Sequence, residues 1–113
     1  MTQTYHLDAD DMAWSCHAQK GVSYKTLRFG DEDKSGAMMV HMCAGATYPE
    51  YVATRGQDVL VVDGELKVGD ERLPRGSYLH VAPGDTQSPS TDNGCVLFVS
   101  FPGAIKHSES QRR

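Results

Sequence analysis

The sequence predicts an all-β fold, a sandwich or small barrel of two packed antiparallel sheets, on three observations. Short runs rich in β-branched and aromatic residues recur along the chain. Glycine or proline interrupts them about every ten to fifteen residues. No window of about eleven residues sustains apolar positions at i, i+3, i+4 and i+7.

The runs, in order, are VSYKTLRF at 22–29, AMMVHMC at 37–43, DVLVV at 58–62, ELKVG at 65–69, SYLHVA at 77–82 and CVLFVSF at 95–101. Asp63-Gly64 separates the third from the fourth, and this dipeptide suits the positive φ angles of a two-residue hairpin turn, with ELKV as the return strand. LDADDMAW near the start has room for one helical turn. GDERLPRG at 69–76 is glycine-bounded and charged; it reads as a connection, and it lacks the lysine a phosphate-binding loop needs after its second glycine.

With 113 residues the chain is read as one domain over 1–105 followed by a polar, disordered tail over 106–113, long enough to bury roughly 65% of its unfolded surface. Net charge is −4 and the basic residues are scattered except for Arg112-Arg113, which argues against a nucleic-acid surface. No apolar run approaches the ~18 residues of a membrane span, and MTQTYHLDADDMAW lacks the features of a signal peptide, so a cytoplasmic location away from membranes is expected. Cys16, Cys43 and Cys95 are odd in number and have no C-x-x-C pair; each is expected to be a small buried apolar residue.

VLVV and CVLFVSF are apolar on both faces, whereas a strand that meets water on one side alternates. The outer face therefore needs a cover. A second copy of the chain, giving a homodimer, is the expectation, and a terminal strand of the same chain is the competing one. Trp14, Tyr24 and Tyr78 are expected in the core or an interface rather than in pocket walls.

The spacing of small and polar residues is specific. From Gly45 the chain places Tyr51, Ala53, Gln57 and Gly64, and from Gly76 it places Pro83, Gly84, Gln87 and Thr91. These intervals resemble the two motifs of the cupin (RmlC-like) superfamily: a glycine, His-x-His, a glutamate and a closing glycine, then glycine, proline, glycine, histidine and asparagine. Trp14, GVSYKTL at 21–27, RGSYL at 75–79, APGDTQSPS at 82–90 and NGCVLF at 93–98 narrow the resemblance to ChrR-type cupins, covering about residues 12 to 103. That type occurs in anti-sigma factors and in small stand-alone, dioxygenase-like cupins. The resemblance implies a jelly-roll β-barrel, usually dimeric, with one divalent metal such as Zn, Fe, Mn or Ni held by the three histidines and the glutamate.

Those four positions hold Tyr51, Ala53, Gln57 and Gln87 here. A phenol must lose a proton with a reference pKa of about 10, alanine has no donor atom, and the two amides are weak neutral ligands, so no metal cofactor is expected. A displaced site could draw on His41, Cys43 and His80, with Asp58 beside the position of the lost glutamate. If Met38, Val40 and Met42 point inward, however, His41 and Cys43 point away. His6, His17 and His107 lie in loops or near the ends and are expected to be solvated. No Gly-x-Ser-x-Gly occurs. A metal-free isomerase would need a histidine beside a tyrosine, and no such partner of Tyr51 is evident.

Tyr51, Gln57 and Gln87 are thus expected to converge where the resemblance puts the metal, either as a sealed polar plug or as the lining of a pocket, widened by Ala53, for a small neutral ligand. Three functions remain open: a non-catalytic small-molecule-binding or regulatory module resembling the ChrR cupin domain, a dioxygenase-like enzyme with an unorthodox metal site, and a structural or interaction subunit.

Overall fold

The computed structural model describes residues 3–107. A 3₁₀ turn at Ala9–Asp11, capped by the Asp8 side chain on the Asp10 amide, is the one helical turn that LDADDMAW allows. Ten strands follow: β1 (Ser15–Cys16), β2 (Val22–Phe29), β3 (Gly36–Met42), β4 (Tyr51–Ala53), β5 (Gln57–Val68), β6 (Glu71–Pro74), β7 (Tyr78–Val81), β8 (Thr86–Gln87), β9 (Cys95–Phe101) and β10 (Ile105–His107). They form a large antiparallel sheet in the order β1-β2-β3-β9-β5-β6, with β7 also on β5, and a small sheet in the order β10-β4-β8.

The long apolar runs build the large sheet because they alternate in burial. Val40 and Met42 of β3, Val59 and Val61 of β5, and Cys95, Leu97, Val99 and Phe101 of β9 all face one core. Strand β5 is where the sequence expectation fails. Residues 57–68 form one continuous strand, and no hairpin forms at Asp63-Gly64. Its pairing with β9 instead shifts by one residue between Val61 and Asp63, a bulge that moves the inward set from Gln57, Val59 and Val61 to Leu66. Gly64 makes the bulge possible: its φ is +77°, and a Cβ there would lie 2.2 Å from the Gly94 carbonyl oxygen. The real two-residue hairpin turn is Gly69-Asp70, between paired Val68 and Glu71, so part of GDERLPRG is a strand and not a connection.

The chain also folds two residues further than expected, because Lys106 and His107 pair with Val52 and Tyr51 in β10; the rest of the expected tail, 108–113, lies outside the described residues. Of the cysteines only Cys95 is buried, while Cys16 and Cys43 sit at strand ends and are exposed.

The outer face of the large sheet is partly covered by the chain's own N-terminal segment. Lys25 Nζ donates to the Ala9 carbonyl at 2.6 Å and lies 4.5 Å over the Trp14 ring, and the Tyr5 hydroxyl donates to the Leu27 carbonyl at 2.6 Å. That segment does not reach β5 and β7, where Leu60 is 41%, Val62 40% and Tyr78 64% exposed. Among the described residues no helix is long and apolar enough to cross a membrane.

Candidate functional site

The small sheet carries most of the candidate residues. Tyr51 on β4 lies opposite Gln87 on β8, and Gln57 opens β5 across the barrel. The Tyr51 hydroxyl donates to Gln57 Oε1 at 2.5 Å. Burial pushes the Tyr51 pKa up to about 12, outweighing the opposite pull of the Gln57 bond, so the phenol stays a proton donor. With its oxygen engaged, the Gln57 carboxamide turns its nitrogen the other way. Neither that nitrogen nor the Gln87 carboxamide bonds another of the described residues, and since no buried side-chain nitrogen or oxygen there lacks a partner, both groups reach accessible space.

All three residues line a cavity of about 400 Å³ inside the barrel, whose other walls are mainly apolar, from Met38, Val40, Val59, Leu66, Leu97 and Val99 among others. No aspartate or glutamate lines it. Ala53 does not widen it. It is fully buried outside the cavity wall in a cluster with Tyr51 and Val81, and Ile105, its partner on β10, packs against that cluster.

The donor set does not suit a divalent metal. Tyr51 keeps its proton and spends it on Gln57, Ala53 offers no atom, and the remaining groups are neutral amides. The displaced candidates do not converge. Met38, Val40 and Met42 point inward, and His41 turns outward against the Trp14 ring at 5.7 Å between centroids. Cys43 is exposed just beyond β3. His80 sits on the outer face, its Nδ1 2.8 Å from Asp58 Oδ1, which also accepts from the Tyr78 hydroxyl at 2.5 Å. These two bonds, the Tyr78 one first, hold the Asp58 carboxyl below the usual carboxylate range. Among the described residues no group of three or more His, Cys, Asp or Glu is placed to hold a metal ion.

Sequence reasoning missed Tyr48, His17 and His107. Tyr48 packs edge-on against Tyr51 at 5.5 Å, and its hydroxyl lies 3.3 Å from the Nε2 of both His17 and His107. His17 is half-buried and His107 exposed, as expected for the latter, and the two flank one phenol. Nothing in the linear order signals this, since they come from opposite ends of the described chain. Tyr24 borders an outer groove and not the cavity, and Trp14 and Tyr78 lie on the outer face.

A two-sheet antiparallel barrel with this interior site is a cupin. The profile of the ChrR Cupin-like domain family matches residues 2–103, and the chain belongs to that family. No curated protein matches the chain. Among solved structures it is similar to a putative acetylacetone dioxygenase from Methylibium petroleiphilum, at 14% identity and TM-score 0.88, covering all of this chain and 86% of that one. It is also similar to the Rhodobacter sphaeroides complex of SigE with the anti-sigma ChrR, at 18% identity and TM-score 0.70, covering 83% of this chain and 50% of that one. A third likeness is to the polyketide cyclase RemF from Streptomyces resistomycificus, at 14% identity and TM-score 0.72, covering 95% of this chain and 89% of that one. At these identities the likenesses establish the fold.

Proposed function

We propose that the protein is a non-catalytic cupin, a cytoplasmic homodimeric module that binds a small neutral ligand in its barrel without a metal cofactor. The observation that carries this reading is the mainly apolar cavity of about 400 Å³, into which Gln57 and Gln87 bring accessible carboxamide groups beside the Tyr51 phenol. The volume lies within the range of small-molecule sites. The walls carry Lys34 and no carboxylate, and the other polar groups include the neutral Tyr51, Gln57 and Gln87, so a mainly apolar ligand with neutral polar groups is favoured over a cation.

The likeness to the ChrR complex supports a regulatory output for such binding. That match spans half of the other chain, so the proposal does not extend to sigma-factor binding. A dioxygenase-like activity, suggested by the Methylibium protein, would need metal donors that positions 51, 53, 57 and 87 do not supply. The purely structural subunit would leave the cavity without a role.

Titrating ethylbenzene into the protein while following methyl NMR signals tests the pocket directly. Saturable shifts should appear at Val59 and Val99 and vanish in Val40→Phe, which fills the cavity. Unchanged spectra at the solubility limit would favour the sealed plug.

A further inference from the structure

The barrel cavity continues beyond the barrel. It opens to solvent beside Phe29, which is 54% exposed, and the exposed Lys34, and it runs into a second space of about 1010 Å³. The two share Phe29, Met38, Val40, Tyr48, Phe101 and His107 as walls, so they form one continuous site. The second space is a cleft along β2. Tyr24 and Thr26 pair with Val40 and Met38, whose side chains point inward, so all four face the same side of the sheet, and the loop after β1 adds His17 and Gln19.

The walls change character along this site. Strand register puts Phe29, Gly36 and Phe101 in one cross-strand row, and the pairing of Asp58 with Ser100 sets Gln57 beside that row. Met42 pairs with Cys95 at the other end of the same strands. The barrel is therefore apolar toward Met42, Leu66 and Leu97, and it presents the Gln57 carboxamide at the end that meets the mouth. Beyond the mouth the cleft offers Gln19, Tyr24 and Thr26, whose side chains both donate and accept hydrogen bonds, with the Tyr24 and Phe29 rings as flat apolar surfaces.

Charge decides which head group suits the cleft. Arg28 and Lys34 are the lysine and arginine side chains in the walls, and no aspartate or glutamate lines either space, which disfavours a cation. Both cations are nevertheless offset from outside the walls. Arg28 Nη1 donates to Ser35 Oγ at 3.2 Å, and that hydroxyl donates to Asp33 Oδ1 at 2.8 Å. Lys34 Nζ lies 5.9 Å over the Phe29 ring, and Asp31, Glu32 and Asp33 precede it in the same turn. Three carboxylates thus stand near two cations, so an anion gains little at the mouth. An uncharged group that both donates and accepts hydrogen bonds fits better.

We propose that barrel and cleft form one site for an elongated, uncharged amphiphile, with its apolar body toward Met42, Leu66 and Leu97, an oxygen atom at Gln57, and a hydroxyl-bearing head in the cleft against Gln19, Tyr24 and Thr26. The proposal rests on the reading of the barrel as a ligand pocket and adds the ligand's shape and the chemistry of the part outside. The cleft alone reaches the upper end of the usual about 300–1,000 Å³ of a small-molecule site, so a compact ligand in the barrel would leave most of the continuous space to water.

The test uses the full chain and probes that share one phenylethyl body. Ethylbenzene, 2-phenylethanol, 2-phenylethyl β-glucoside, 2-phenylethylammonium and 3-phenylpropanoate are titrated at neutral pH while NMR signals are followed. The glucoside should bind about tenfold tighter than 2-phenylethanol, the return from one or two hydrogen bonds of its head, and neither charged probe should match it. In one complex, intermolecular NOEs should run from the phenyl protons to the Val59 and Leu97 methyls and from the sugar protons to the Thr26 methyl. Thr26→Val keeps the β-branched shape and removes the hydroxyl, so the glucoside's advantage over 2-phenylethanol should fall by about two- to tenfold. A glucoside without an advantage, sugar protons without a contact to Thr26, or an advantage untouched by Thr26→Val overturns the proposal. Tighter binding of 3-phenylpropanoate than of the glucoside overturns the uncharged head. If ethylbenzene and 2-phenylethanol shift Val59 and the glucoside gains nothing, the extension alone fails, whereas if no probe shifts Val59 the pocket reading itself fails.

Discussion

Tyr51 donates its hydroxyl proton to Gln57 Oε1 at 2.5 Å, a bond between two residues that line the barrel cavity. The phenol is held protonated by burial, with a pKa of about 12 against an ordinary value of about 10. A raised pKa in the folded state gives stability that is complete below pH 10 and is lost as pH rises through 12. Absorbance titration should accordingly show tyrosine ionisation delayed to the onset of alkaline unfolding. Tyr51→Phe should remove this delayed component and lower stability at neutral pH by about 1–3 kcal/mol, since the Gln57 oxygen loses its donor. Urea melts of the two proteins measure the difference.

Gly64 and Gly69 both have positive φ, yet only one is in close contact. A Cβ on Gly64 would strike the Gly94 oxygen and lie 2.7 Å from Cys95 Cα, whereas nothing lies within 4 Å of one on Gly69. Gly69→Ala should therefore cost roughly the 1–2 kcal/mol of left-handed backbone alone. Gly64→Ala should cost clearly more, because the bulge between β5 and β9 must shift. Equal losses in thermal melts would contradict this account of the bulge.

Protein purified without added metal should contain no stoichiometric zinc, iron, manganese or nickel, and its melting temperature should not change in EDTA. Elemental analysis decides this. One equivalent of any of these metals would reverse the reading of Tyr51, Ala53, Gln57 and Gln87.

Leu60, Val62 and Tyr78 form an apolar stretch on the outer face that the N-terminal segment leaves open. A second copy covering it would bury Leu60. Leu60→Glu should then convert a dimer to a monomer in sedimentation velocity at micromolar concentration, with the monomer's fold unchanged by circular dichroism. A wild type that sediments as a monomer at that concentration would remove the dimer from the proposal.

Much of the large sheet was legible because its strands are long. VSYKTLRF coincides with β2, and AMMVHMC and CVLFVSF mark β3 and β9, since runs of seven or eight residues rich in β-branched, aromatic and other apolar side chains, set between turn residues, signal strands. The small sheet was not legible. Its strands β4, β8 and β10 have two or three residues each, too few for any period, and they exist only because the large sheet holds their ends in register. Asp63-Gly64 misled for a related reason: a positive-φ glycine suits a hairpin turn and a bulge equally, and pairing with β9 selects the bulge.

The sequence by itself determined the all-β class, the spacing of a cupin, and the donor atoms available at positions 51, 53, 57 and 87, because apolar runs, turn residues and donor atoms are local properties. Only the tertiary structure decided that Tyr51 spends its proton on Gln57, that the Gln57 nitrogen meets a cavity, and that Ala53 stands outside that cavity. It also joined His17 and His107 on Tyr48. Contacts between residues far apart in sequence depend on how two sheets pack, and packing is set by the whole core at once.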